Sequence, residues 1–126
     1  MKFKTLMIIK AVVCLAFGPI LLFFPQQLLT LLGCSFGAGA ALTAREYGAA
    51  LFGNLMLTWF ARNAEASTTR TAIILALFVY DAIALIATLI LQLSGALNPL
   101  GWGIVAVYLF FTIAFGSFLV PKRRAA

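Results

Sequence analysis

Four ionisable side chains interrupt long apolar runs in this chain: Lys10, Arg45, Glu46 and Asp81. Each costs about 2.5–3.5 kcal/mol when placed at the centre of a membrane helix, and less toward its ends. Such residues therefore face partners rather than lipid. The chemistry open to them is narrow, because the 126 residues contain no histidine. That excludes Ser–His and Cys–His catalysis, bis-His haem ligation and zinc sites built on imidazole. An interior acid can still hold a cation or pass a proton, and Asp81 is the candidate. Lys10 could neutralise it, and Tyr108 or Asn54 could hydrogen-bond it.

Asp81 lies near the middle of an apolar run from about 71 to 93. Thr88 and Gln92 follow at seven and eleven residues, and at about 100° per residue all three share one helical face. At ~1.5 Å per residue, Asp81 is roughly 15 Å from the start of its run, Tyr108 roughly 18 Å from the same side, Asn54 roughly 12 Å and Lys10 roughly 6–9 Å. These depths favour Asp81 bonded to Tyr108 or Asn54 and make a Lys10–Asp81 ion pair stretched. Together the four form a candidate intramembrane polar site. Arg45 and Glu46 fall nearer the opposite side, about level with Thr88. With Thr88 and Gln92 they suit an outer vestibule or a clamp on neighbouring helices. Gly48 and Gly53, with Ala49 and Ala50, make this helix thin and suited to close packing. It is expected to be the central helix, with neighbours on both sides.

The elements that must position these residues follow from composition. The chain is 64% hydrophobic and only 10% charged, against about 45–50% and about 25% in ordinary soluble domains. The excess apolar surface must face lipid. A span needs roughly 20 residues. Apolar runs at about 6–24, 40–61, 71–93 and 100–120 give an all-α membrane protein, a four-helix antiparallel transmembrane bundle in one domain. Pro19 is expected to bend the first span. The stretch 26–33 is too short to cross. It reads as a short interfacial helix or as an extension of the first. Ser67, Thr68 or Thr69 suits the cap of the third span. The fourth ends at Pro121.

The net charge of +6 is no sign of nucleic acid, because the basic residues sit at the ends of apolar runs. Eight of the nine Lys and Arg residues fall near the amino end (Lys2, Lys4, Lys10), in the loop bounded by Arg62 and Arg70, or at Lys122, Arg123 and Arg124. Positive charge stays inside, so both termini are predicted cytoplasmic. Cys14 and Cys34 lie at depths that disfavour a disulfide. They read as small apolar residues.

The motifs Gly18-Pro19, Phe24-Pro25, Leu31-Leu32-Gly33, Ala44-Arg45-Glu46-Tyr47-Gly48 and Trp59-Phe60-Ala61-Arg62 resemble those of small four-helix bacterial inner-membrane proteins. The resemblance spans nearly the whole chain. It implies a multi-pass protein of the bacterial inner membrane and no particular activity. The expected role is structural or accessory, as a subunit or assembly partner in a homodimer or larger membrane complex. The alternative is a small proton- or cation-coupled transporter or channel using Asp81. No cofactor, metal or catalytic set is expected, and the partner that the composition requires is the lipid bilayer.

Overall fold

A computed structural model describes residues 1–120; Pro121 and the basic cluster Lys122–Arg124 lie outside the described residues. The described residues form five helices and no strand: α1 (Phe3–Phe23), α2 (Pro25–Leu31), α3 (Ala38–Phe60), α4 (Thr68–Leu93) and α5 (Gly101–Leu119). Three of them, α1, α4 and α5, are long and apolar enough to cross a membrane. α3 has the length, at 23 residues, but Arg45, Glu46 and Asn54 interrupt its apolar body.

Local sequence explains most of the boundaries. α1 continues through Pro19 and stops at Phe24, whose backbone leaves the helical region. Pro25 then opens α2 at a position where its missing N–H costs no hydrogen bond. The stretch after the first apolar run is thus a separate short helix, not an extension of α1. Gly33 and Gly95 both have positive φ, at 81° and 83°. Each follows a helix and lets a later amide return to a carbonyl of the last turn: Cys34 N donates to Leu29 O (2.9 Å) and Ala96 N to Leu91 O (3.1 Å). These are glycine stop signals with a left-handed residue. Ser67 caps α4 by accepting from the Arg70 amide at 3.1 Å.

The long helices alternate in direction. One buried cluster joins the starts of α1 and α4 to the end of α5: Phe3, Leu6, Met7, Ile74, Leu77, Phe111 and Phe115. At this amino end Arg70 lies over the Phe3 ring, 3.9 Å from its centroid. Lys2, Lys4, Arg62 and Arg70 therefore gather on one side. The opposite end, containing α2 and the α4–α5 turn, carries no charged residue in 24–37 or 94–100.

The helices pack as two pairs, α1 with α3 and α4 with α5. Gly48 is the point of closest approach in the first pair. A Cβ there would stand 2.8 Å from Leu22 N and 2.9 Å from Gly18 O, which only glycine permits. α3 nowhere comes within 8 Å, Cα to Cα, of α4 or α5. This corrects the expectation that α3 is the central post. The helix with long neighbours on both sides is α1, against α3 and α5. The small residues of α3 divide between faces. Gly48 meets α1, whereas Gly53 is exposed, and a Cβ added there meets nothing within 4 Å. Gly53 is not a packing residue within this bundle.

Candidate functional site: a chamber between the helix pairs

The separation of the two pairs leaves a chamber of about 750 Å³. Its walls are Val13, Cys14, Phe17 and Leu21 of α1, Ala40, Thr43, Ala44 and Leu51 of α3, Thr88 and Leu91 of α4, and Gly103, Ile104 and Val107 of α5. Leu28, Leu29, Leu32 and Cys34 line it toward the α2 end. The lining is overwhelmingly apolar, and its size falls within the ~300–1,000 Å³ of small-molecule pockets. Both cysteines are free.

Polar groups are concentrated at the chamber's floor, where it meets the packed amino end. Lys10 Nζ donates to Asp81 Oδ1 at 2.6 Å. Lys10 is 3% exposed and Asp81 0%. The ammonium also lies over the rings of Phe111 (4.3 Å to the centroid) and Tyr80 (5.0 Å), a favourable placement for a cation. Lys10 therefore borders the chamber while Asp81 sits behind it. Asp81 Oδ2 has no hydrogen-bond partner among the described residues. The ion pair replaces the expected bonds from Asp81 to Tyr108 or Asn54. Because Arg70 is level with Phe3, Asp81 stands only about 6 Å higher than Lys10 along the bundle, a gap that a lysine stem and a back-leaning Asp side chain close.

Tyr108 instead belongs to a tyrosine cluster. The Tyr47 hydroxyl hydrogen-bonds both Tyr80 and Tyr108, tying α3 to α4 and α5 where their backbones stay apart. The Tyr47 and Tyr80 rings stack, with centroids 6.5 Å apart, and Tyr80 meets Tyr108 edge-on at 6.3 Å. The chain has three tyrosines, and all of them meet here. Three hydroxyl protons serve two mutual hydrogen bonds, so one proton is left to donate. The floor therefore combines a neutralised ion pair with a spare hydroxyl donor, in apolar surroundings.

The α2 end is fastened by Asn98. Its Nδ2 donates to Leu31 O (2.7 Å), its backbone N–H to Leu32 O (2.9 Å), and its Oδ1 accepts from Leu100 N (3.1 Å). Gln92 Nε2 donates to the Asn98 carbonyl at 3.2 Å. Its Oε1 lies against Gly101, where no Cβ would fit. Gln92 thus braces the α4–α5 turn rather than an outer vestibule, whereas Thr88 does line the chamber.

Arg45 and Glu46 do neither of the things expected of them. Both are exposed, neither lines the chamber, and neither forms a salt bridge among the described residues. They clamp no helix of this bundle, because α3 turns them away from α1. Asn54 is half-buried, and its backbone carbonyl accepts from Thr58 Oγ1 at 2.7 Å. Tyr47 and Tyr80 were the members of the site that sequence reasoning passed over. Their signal was position: tyrosines usually mark the ends of membrane helices, and these lie near the middle of α3 and α4. No three metal-ligating side chains converge among the described residues.

Compared with family models, with curated proteins and with solved structures, the chain matches none.

Proposed function

We propose that this chain is a small multi-pass protein of accessory type, residing in the bacterial inner membrane, that holds a neutral lipophilic guest in its chamber. All four long helices span. The gathering of basic residues at the amino end supports a cytoplasmic position for both termini. The chamber then occupies the outer half of the bundle, with α2 near the outer interface. α3 stays apart from α4 and α5, and this gap gives a guest lateral access from the bilayer.

The observation that carries the reading is an apolar chamber whose charged and phenolic groups all sit at one end, with only Thr43 and Thr88 as hydroxyls along its walls. That polarity selects the guest. Lys10 and Asp81 cancel each other, so a charged head would arrive uncompensated in a low-dielectric site. The spare tyrosine proton calls for an acceptor oxygen. A hydrocarbon body bearing a carbonyl, as in a quinone, ketone or ester, satisfies both ends.

The Asp81-coupled transport alternative finds less support. Asp81 is fully enclosed, and the large side chains of the amino end fill the path beyond it. Its role here is to neutralise Lys10.

Gly103 provides the test. It lines the chamber and a Cβ there meets nothing within 4 Å. Gly103→Phe should therefore fill the space while leaving the helix packing intact. Organic extracts of the purified wild type, analysed by mass spectrometry, should contain one defined neutral lipophile near equimolar amounts. Extracts of Gly103→Phe should lack it. Identical lipid content in the two would contradict the proposal.

A further inference from the structure

The outward face of α3 differs from the other outward faces. α4 turns Ile83, Ile86 and Ile90 outward, all apolar and exposed. α3 turns out Leu42, Arg45, Glu46, Ala49, Gly53 and Met56, all exposed. Arg45 and Glu46 are seven and eight residues inside the helix, about 10–12 Å from its start. They are opposite charges on a surface where lipid offers neither a partner. The backbone of α3 packs on α1 and α2 alone among the described helices, so none of these helices covers this face.

We infer that this face joins two copies of the chain, with Arg45 of each pairing with Glu46 of the other. This pairing follows from the geometry of α3 and is independent of what the chamber holds. At about 100° per residue, Arg45 and Glu46 point to either side of a line that runs through Leu42, Ala49 and Gly53. Two copies inserted the same way are related by a two-fold axis along the membrane normal. That operation keeps equivalent residues at equal depth and sets the left flank of one helix against the right flank of the other. Arg45 then meets Glu46, and Glu46 meets Arg45, giving two ion pairs from one self-complementary surface. Along the centre line, Ala49 and Gly53 are four residues apart and have no bulk to hold the helices apart. A partner of other sequence would need its own matched cation and anion at this depth; a second copy has them by symmetry.

Cysteine cross-linking in native membranes tests this, with Cys14→Ala and Cys34→Ala as background. Ala49→Cys should give mostly disulfide-linked dimer under mild oxidant, and Ile86→Cys on α4 almost none. Arg45→Glu or Glu46→Arg alone should cut Ala49→Cys cross-linking at least tenfold, by setting like charges together. The double exchange Arg45→Glu with Glu46→Arg should restore it. Equal cross-linking at positions 49 and 86, or a double exchange as weak as the single ones, would overturn the inference. Should a single charge variant fail to insert, Gly53→Ile carries the test, because that position is open within the bundle. Loss of cross-linking at an unchanged expression level supports the interface, and undiminished cross-linking overturns it.

Discussion

The two ends of the bundle are built from the same helices and filled in opposite ways. At the amino end, Leu6, Met7, Phe111 and Phe115 are 0–1% exposed and close the space completely. Phe111 and Phe115 stack, with centroids 6.1 Å apart. Toward α2 the inward positions are small or widely spaced: Cys14, Ala40, Ala44 and Gly103. There the helices remain apart and are held by side-chain struts. The Lys10–Asp81 pair and the tyrosines join the pairs at the floor, and Asn98 joins them at the far end. One end is held by packing and the other is kept open by polar braces.

The strongest way to break this contrast is to remove half of the floor's ion pair. Asp81→Leu leaves Lys10 buried without a counter-charge and should destabilise the bundle by about 3–5 kcal/mol; Lys10→Met together with Asp81→Leu should recover most of that. Unfolding of the purified variants in mixed micelles measures both. Phe115→Ala opens a void in the packed end and should cost about 3–5 kcal/mol, whereas Leu91→Ala in the chamber wall should cost about 1 kcal/mol or less, because that side chain is half-exposed and borders space already empty of side chains. The same unfolding assay compares them. Gly48→Ala drives a Cβ into the α1 backbone and should cost about 1–3 kcal/mol by overpacking, while Gly53→Ala should be nearly silent in the monomer. Asn98→Ala removes the brace at the α2 end. Its effect on stability should be small, about 1 kcal/mol, with faster amide exchange at Leu31 to Cys34 as the local sign.

Much of this organisation was legible in the sequence, and the failures have physical reasons. Apolar run lengths located the long helices, because the chain places polar loops and Gly or Pro residues at their ends. Asp81 stood out because an acid in an apolar run must be compensated. Its partner did not, because depth counted from the edges of apolar runs assumes that those edges lie level. The contact of Arg70 with Phe3 sets the actual level. The small residues of α3 suggested a central helix, yet composition alone does not tell which side of a helix a glycine serves. Gly48 meets backbone, and Gly53 meets nothing. The chamber itself was illegible. A void reflects how far helices stand apart, and no residue type encodes an empty space. The convergence of the three tyrosines on it becomes visible only once the pairs are in place.

The open end is proposed to be a binding chamber for a neutral lipophile. Thermal unfolding with a decyl-substituted benzoquinone as probe tests it most directly. Binding to the folded state alone stabilises by about 2.7 kcal/mol at a hundredfold excess over Kd. The expected result is a saturable rise in the unfolding temperature of the wild type, a weaker one at equal probe concentration when Tyr47, Tyr80 and Tyr108 are all replaced by Phe, and none for Gly103→Phe. An equal rise in all three proteins, or none in the wild type, would contradict the account.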